Sequence, residues 1–208
     1  QTRQKKNPSS PQKLTMIEIR EIESRRELVD FVRFPFQLYK GNPYWVPPIV
    51  KEELEMLDKK VNPVFNNALA HYFLAYKDGE IVGRIAAFIN WIEIKELKKS
   101  KVRFGWFDVI DDLEVTKKLI DAVVAIGKQH QMTAIEGPMG FSNMDKAGML
   151  TKGFEELNTM ITWYNAPYYS EHLEKITFTK QAEWVEYEIK ISSFQDSPEK
   201  VKRFSKLI

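Results

Sequence analysis

Residues 102–137, "VRFGWFDVIDDLEVTKKLIDAVVAIGKQHQMTAIEG", decide the fold of this chain. The stretch opens with an apolar run typical of a buried strand (102–110) and closes with a second, shorter one (133–137). Asp111 is predicted to cap a helix between them. The apolar stripe of that helix recurs at helical spacing, at Val115, Leu119, Val123 and Ile126. A strand, a helix and a strand in this order require a crossover connection, which makes the two strands parallel.

The first half of the chain predicts antiparallel neighbours for this unit. The alternation in "MIEIREI" (16–22) is typical of a half-buried strand, and Asp78-Gly79 between two apolar runs predicts a hairpin. A capping box at Ser24 predicts a helix that Pro35 stops or bends. A second helix is expected from Pro48 onwards, with its apolar stripe at Val50, Leu54, Leu57 and Val61 and with Glu53 off that stripe.

The carboxyl-terminal third predicts a short helix over 169–176 and a long strand over 178–191. The order is therefore β–α–α–β–β–β–α–β–insert–α–β, a mixed α/β fold. Ligands in such sheets bind at the carboxyl ends of parallel strands. A long inserted loop, residues 137–163, leaves from such an end. Loops of this length are usually functional or disordered, and the aromatic residues of this one argue against disorder.

Composition excludes several classes of protein. The 208 residues include no cysteine, which rules out disulfides and thiolate metal sites. Residues 1–15 carry four basic residues and no acidic one, so the rest of the chain is net acidic and nucleic-acid binding is not expected. We predict a disordered basic tail over 1–15, no metal site, no integral membrane segment and a cytoplasmic protein.

Four phrases carry a resemblance to a known family: "GNPYWVPP" (41–48), "VGRIAAFIN" (82–90), "GPMGFSNMDKAGMLTKGF" (137–154) and "YNAPYY" (164–169). Over residues 16–191 the chain resembles the GCN5-related N-acetyltransferase (GNAT) fold, in a poorly characterised bacterial branch related to bacterial ceramide synthases. The resemblance implies a mostly antiparallel sheet with one central, splayed parallel strand pair, flanked by helices. In that fold the splay admits the pantetheine of acyl-CoA.

The resemblance further implies an N-acyltransferase that moves an acyl group from acyl-CoA or acetyl-CoA to an amine acceptor by direct attack. The acceptor would be a small-molecule or lipid-like amine. The alternative is a non-catalytic GNAT-like half that acts as a ligand-binding or interaction module beside a second domain. Residues 192–208 are then expected to be a linker and the start of a further helix or a truncated second domain, with a second GNAT-like half or a homodimer as the partner.

Two departures from the family pattern bear on the catalytic residues. The junction before the helix at 113 lacks the glycines whose backbone usually binds the pyrophosphate of CoA. Leu173 stands where the family has the tyrosine that acts as general acid. The candidates for acid–base catalysis are therefore Glu136, Tyr169 and His172. Glu136 is alternatively a solvated strand-end acid, and the tyrosine alternatively packs the insert on the sheet. The predicted CoA-binding residues are Phe107, Val109, Leu113, Val115, Thr116 and Lys117.

The remaining candidates are expected to bind the substrate. Arg84 lies in an apolar strand and needs a paired acid or a polar ligand. Trp45 either borders the acceptor or caps the core, and Asp145 is more readily a loop-organising residue than a base. The basic run over 95–101 is read as a solvated connection. The complete substrate-binding set is Tyr44, Trp45, Arg84, Phe141, Asn143, Asp145 and Tyr164.

Overall fold

The computed structural model of the protein describes residues 16–142, 145–159 and 161–187 and two single positions nearer the carboxyl end. These residues fall into two compact units, of which the first ends at Thr177. All helices and strands named below belong to the first unit. The basic tail predicted over 1–15 and nearly all of the predicted linker lie outside the described residues, so both stay predictions.

The described part of the first unit forms one sheet in the order of the sequence. Neighbours among its first four strands are antiparallel, and the fifth strand is parallel to the fourth. The mixed α/β prediction and the parallel pair are confirmed, although in the described residues the pair stands at one edge of the sheet. The strands are β1 (Ile17–Glu21), β2 (Ala68–Lys77), β3 (Glu80–Asn90), β4 (Lys101–Val109) and β5 (Ala134–Glu136).

Helices cover both faces of this sheet. One face packs against Phe31 and Leu57, and the opposite face packs against the predicted apolar stripe of the longest helix, which is buried. Side chains alternate between the faces of a strand, so each strand supplies both layers of the core. The helices are α1 (Arg25–Leu38), α2 (Val50–Met56), α3 (Trp91–Leu97), α4 (Leu113–Gln129) and α5 (Tyr168–Lys175).

Helix α1 continues through Pro35, so of the two expected effects of this proline, stopping or bending the helix, the first is wrong. Proline has no N–H to give the carbonyl of Phe31, four residues earlier. The guanidinium of Arg84 takes that place and donates from Nη1 to Phe31 O at 2.9 Å. The helix therefore keeps a satisfied carbonyl, and its last turn brings Tyr39 to the sheet.

Strand β4 contains a bulge where it pairs with β3. Arg84 pairs with Asp108 and Ala86 with Gly105, so β4 has one more residue than β3 between the two pairs. Trp106, inside this step, has a φ of 44°, in the left-handed region that residues other than glycine rarely adopt. The bulge turns the side chain of Trp106 onto the α1–α2 face of the sheet.

Two further sequence expectations fail. Residues 95–97 are not a connection, because they form the end of helix α3. Asn90 caps this helix by accepting from the N–H groups of Ile92 and Glu93. Residues 178–187 form no strand, and the side chain of Trp184 is 70% exposed. The remainder of that predicted strand lies outside the described residues.

Helix α2 is shorter than the apolar spacing suggests, and its buried face is wider than the predicted stripe. It starts after Pro48 and ends at Met56, and Val61 is exposed. Glu53, expected on the solvent side, is its one fully buried residue. Val50, Leu54 and Leu57 of the predicted stripe pack against the core as expected, and the neighbouring Glu53 is buried with them.

A close approach between β4 and the insert gives the first prediction. A Cβ added at Gly105 would overlap the carbonyl oxygen of Met139, whose N–H donates to Phe104 O at 2.8 Å. Gly105→Ala should therefore lower the free energy of unfolding by about 1–3 kcal/mol, because backbone must move to admit a methyl group. Urea denaturation followed by circular dichroism measures it, with the exposed Ala134→Ser as control, expected within about 0.5 kcal/mol. Equal stability of Gly105→Ala and the parent would contradict this packing.

Candidate functional site

The parallel ladder is short, and β4 runs on beyond it. The pairing ends at Arg103 and Glu136, whereas β4 continues to Val109. At that end, the N–H of Val109 donates to the hydroxyl of Tyr169 at 2.9 Å, and the hydroxyl of Tyr168 donates to the carbonyl of Val109 at 2.7 Å. Beyond Phe104, which accepts from the N–H of Met139, β4 pairs with no described strand on this side, and two phenols from α5 cover its edge.

A buried network lies behind these phenols. Arg84 and Asp108 form an ion pair at 2.7 Å, and Asp108 also accepts a hydrogen bond from the hydroxyl of Tyr39 at 2.9 Å. The hydroxyls of Tyr39 and Tyr169 are 2.9 Å apart. Because the single proton of Tyr39 goes to the carboxylate, Tyr169 must donate to Tyr39. The result is a directed chain from the N–H of Val109 through both tyrosines to Asp108.

This setting keeps both tyrosines protonated. Burial raises the pKa of Tyr169 well above its usual value near 10, and the neighbouring Asp108 carboxylate raises it further. Burial and Asp108 raise the pKa of Tyr39 in the same way. Tyr169 therefore serves as a hydrogen-bond donor and not as a base. The acid that Arg84 requires is Asp108, and Arg84 is 3% exposed, so its contacts are internal.

His172 joins α5 to the start of α4. Its side chain is buried, with Nδ1 2.9 Å from Thr116 Oγ1 and Nε2 3.2 Å from Asp111 Oδ1. Leu173, which follows it, is also buried. Of the predicted acid–base residues, His172 and Tyr169 thus stand together on α5.

The first turn of α4 is capped from within the chain. Asp112, and not the predicted Asp111, is the cap: its carboxylate accepts from the N–H groups of Glu114 and Val115. Asp112 has the extended backbone of a cap residue, and Asp111 turns to His172 instead. The N–H of Thr116 donates to the carbonyl of Asp112 at 3.1 Å, so these donors are already used.

The other predicted CoA-binding residues divide between core and surface. Phe107 is buried, with its ring 5.3 Å from that of Tyr169, and Val115 is also buried. Leu113 is half-buried at the start of α4, and Lys117 Nζ lies 2.7 Å from Glu114 Oε1. Carboxylates therefore surround the helix start at which a diphosphate would need positive charge.

Glu136 lies apart from the tyrosines. It is paired with Arg103, six residues and roughly 20 Å of strand away from Val109. Its carboxylate forms ion pairs with Lys101 and with Arg103 Nε, the latter at 3.3 Å. Burial acts to raise the pKa of Glu136, but the bonds to Lys101 and Arg103 outweigh it and lower the pKa overall. These contacts do not suit the predicted general-base role, since a base must give up its cations to take a proton.

The insert is held at both ends by polar side chains that the sequence did not single out. Arg103 Nη1 donates to the carbonyl of Phe141 at 3.0 Å, and Phe141 packs into the core against Phe88. Further along, the amide of the buried Asn165 binds the N–H and the carbonyl of Leu150, as a neighbouring strand would. Both polar side chains occur in or beside apolar runs, and that is the only sequence signal for them.

Asp145 organises the loop, as the sequence favours. It accepts from the N–H of Ser142 at 2.7 Å and leaves no room for a side chain at Gly140. Asn143 lies outside the described residues, so its predicted substrate contact stays a prediction.

Aromatic residues of the predicted substrate-binding set lie next to Tyr39. The rings of Trp45 and Tyr164 lie 5.4 Å from that of Tyr39, on half-buried side chains. Asn42 ties the two segments together, since its amide donates to the hydroxyl of Tyr164 at 2.7 Å and its oxygen accepts from the N–H of Tyr44. Tyr44, Trp45 and Tyr164 therefore do stand together.

None of the helices in the described part of the chain combines the length and hydropathy that a membrane span requires. No family model matches the sequence. A search of solved structures finds a predicted acetyltransferase from Clostridium acetobutylicum, in a structure with acetyl-CoA, at a TM-score of 0.51 and 13% identity, covering 83% of this chain and 96% of that one. The fold is that of the GCN5-related N-acetyltransferases.

Two curated proteins are similar to the chain in sequence. The chain is 32% identical to protein YghO of Escherichia coli over 162 residues, which cover 78% of this chain and 41% of YghO. It is 27% identical to the bacterial ceramide synthase of Caulobacter vibrioides over 183 residues, which cover 88% of this chain and 47% of that enzyme. The predicted relation to bacterial ceramide synthases is confirmed, and the chain spans about half the length of either relative.

The buried ion pair predicts a large effect of a single substitution. Arg84→Met leaves Asp108 buried without its cation and should cost about 3–5 kcal/mol of unfolding free energy. The double variant Arg84→Met/Asp108→Leu should recover part of that loss, because no unpaired charge remains. Arg20→Met, which removes an exposed pair with Glu18, is the control and should change stability by less than about 1 kcal/mol. A double variant no more stable than the single one would contradict the explanation.

The pKa of Glu136 predicts a pH dependence. Because its pKa is lower in the folded state, its contribution is complete above the ordinary glutamate pKa of about 4.3 and is lost as the pH falls through the folded value. Glu136→Gln should therefore destabilise the protein by roughly 1 kcal/mol at pH 7 and much less at pH 3. Denaturant titrations at several pH values measure this, with the exposed Glu114→Gln as control. A difference that stays constant into acid would contradict it.

Proposed function

We propose that the protein takes part in transferring an acyl group from acyl-CoA to an amine, with the pantetheine bound where β4 and β5 part. The observation that carries the proposal is at Val109. Both of its backbone polar groups lie beyond the parallel ladder and are satisfied by side-chain hydroxyls instead of by a strand. An edge of this kind matches the amides of a pantetheine arm. The similarity to an enzyme named as a ceramide synthase supports acyl transfer to an amine.

The residues near Val109 have defined tasks in this proposal. The neutral amine nitrogen attacks the thioester carbon, the carbon–nitrogen bond forms, and the carbon–sulfur bond breaks to release the CoA thiolate, while a water takes the proton that the nitrogen loses. The N–H of Val109 would hold the carbonyl oxygen as it gains charge. Tyr169, kept neutral by its surroundings, would turn its single proton from Tyr39 to the leaving sulfur. Before the acyl group binds, the bond to Tyr39 fixes the orientation of Tyr169.

A specific observation favours a second candidate function, in which this chain binds the acceptor while a second GNAT-like half of a longer protein binds CoA. The thioester end of CoA fits the residues present, but the diphosphate end does not. Asp112 occupies the N–H donors of the first turn of α4, and Glu114 adds negative charge there. The relatives are about twice as long as this chain, which leaves room for a second GNAT-like half.

Binding of CoA esters separates the two candidates. For CoA to bind, the phenols must leave Val109, so Tyr168→Phe, which loses its bond to the Val109 carbonyl, should bind acetyl-CoA about fivefold more tightly. At a hundredfold excess over Kd, acetyl-CoA or palmitoyl-CoA should stabilise the fold by about 2.7 kcal/mol, measured by thermal denaturation. Tyr76→Phe, which changes a half-buried tyrosine of β2, is the control and should leave the affinity unchanged.

The opposite result is equally informative. If no CoA ester shifts the melting midpoint of this chain, while a longer protein containing it acylates an amine, the splay is not the CoA site. The second candidate then stands.

A further inference from the structure

Helix α3 presents large apolar side chains to solvent at the end of the sheet where β4 begins. The side chains of Ile92 and Leu97 are 43% and 56% exposed. Single exposed apolar side chains need no explanation, but these two stand on one helix of seven residues. Asn90 caps the start of that helix, and Lys98 ends it in the left-handed conformation with a φ of 56°. The exposed side chains therefore belong to an element with both ends defined.

The lysines next to these side chains lack acidic partners. Lys95 lies on α3, Lys98 and Lys99 follow it directly, and Lys128 lies in the last turn of α4. None of the four takes part in an ion pair within the residues that the structure describes. Of the two acids of α3, only Glu96 is exposed. This end of the molecule is therefore positively charged, although the chain outside its basic amino-terminal tail is net acidic.

Two contacts bring the end of α4 to this helix. The rings of Trp91 and His130 lie 5.8 Å apart. The N–H and the hydroxyl of Thr133 donate to the carbonyl of Ser100 at 2.8 and 3.0 Å. The exposed side of α3, the loop after it and the end of α4 therefore form one surface, which we call the basic end.

The basic end borders a cavity of about 210 Å³. Lys128 and Thr133 both line this cavity, so it lies beside the lysines and beside the loop that Thr133 binds. Most of its other lining residues are apolar: Val102, Val124, Met132 and Ile135. The cavity adds apolar surface to a region that is otherwise basic.

We propose that the basic end docks on the surface of an anionic lipid bilayer. The lysines lie at the lipid phosphates, and Ile92 and Leu97 enter the boundary between the headgroups and the acyl chains. Anionic membranes attract clustered lysines, and exposed apolar side chains strengthen the contact. A nucleic acid would use the lysines alone and leave both apolar side chains in water. The inference goes beyond the proposed acyl transfer and does not depend on it.

Docking at this end leaves the candidate site uncovered. Strand β4 starts at Lys101 in the basic end and finishes at Val109, eight residues and roughly 26 Å further along. The edge of β4 that α5 covers is therefore at the opposite end of the strand. A CoA ester can reach it from water while the basic end is bound to lipid.

The test measures binding of the whole chain to lipid vesicles by flotation. One set of vesicles contains phosphatidylcholine alone, and in the other about one third is replaced by phosphatidylglycerol. Each lysine near an anionic surface contributes about fivefold in affinity, so the anionic vesicles should bind about 100-fold more tightly. That preference should shrink at high salt, which screens the charges.

Two variants separate the lysines from the apolar side chains. The triple variant Lys95→Gln/Lys98→Gln/Lys99→Gln should weaken binding to the anionic vesicles about 100-fold. The double variant Ile92→Ser/Leu97→Ser should weaken it about tenfold, because less apolar surface leaves water on docking.

Each variant has a control with the same change elsewhere. Lys40→Gln/Lys51→Gln/Lys118→Gln removes the same charge from three exposed lysines outside the basic end. Ile49→Ser/Val61→Ser changes side chains that are 62% and 61% exposed on either side of α2. Both controls should bind like the parent. Circular dichroism checks that all four variants keep the fold.

Each outcome decides the proposal. Equal affinity for both kinds of vesicle would overturn it, and so would an equal loss in the two lysine triples, since only net charge would then matter. Unchanged binding in Lys95→Gln/Lys98→Gln/Lys99→Gln would overturn it as well and assign the lipid contact to the basic tail.

The apolar variant distinguishes a membrane from a nucleic acid. If Ile92→Ser/Leu97→Ser binds vesicles like the parent, while the lysine triple loses binding to duplex DNA, the basic end is a nucleic-acid interface and the proposal is wrong. Should the double variant fail to fold, Ile92→Ser alone still tests the apolar contact. Acyl-CoA binding is measured separately, so its absence would count against the proposed function and leave this inference intact.

Discussion

The ion pair between Arg84 and Asp108 ties helix α1 to the paired strands β3 and β4. Arg84, on β3, compensates the carbonyl that Pro35 leaves free in α1, and Asp108, on β4, receives the hydroxyl of Tyr39 at the end of that helix. Tyr39 in turn orients Tyr169 against the edge of β4. Two charges in an apolar core are tolerated only as a pair. The position of α1, the course of the helix through proline and the cover over the splayed strands therefore share one electrostatic origin.

The predictions that are confirmed rest on local sequence signals. The crossover from β4 through α4 to β5 follows from apolar spacing in a single continuous stretch, and the turn at Asp78-Gly79 follows from two residues, both of which adopt positive φ. The predictions that fail are those that depend on contacts with other parts of the chain. Alternation over 178–191 shows that the segment would suit a sheet, but not that a neighbouring strand is present. The rule for Pro35 treats a helix as isolated, whereas here another strand supplies the missing donor.

The candidate site shows the same division. The sequence indicates that Arg84 needs an acid, but only the register of β3 and β4 identifies it as Asp108. The position of Glu136 at a strand end suggests a general base. That position does not reveal Lys101 and Arg103, which form ion pairs with its carboxylate. Position along a strand is readable from a sequence, whereas the electrostatic surroundings of a side chain are a property of the folded sheet.

The bulge in β4 positions two buried polar contacts. By adding one residue to the strand, it brings the side chain of Trp106 to the carboxylate of Glu53 and that of Asp108 to Arg84. Val109, three residues after Trp106 and roughly 10 Å along the strand, offers its backbone to α5. One strand thus carries both the buried contact between Trp106 and Glu53 and the backbone groups that α5 covers, and the distance between them is fixed by backbone geometry.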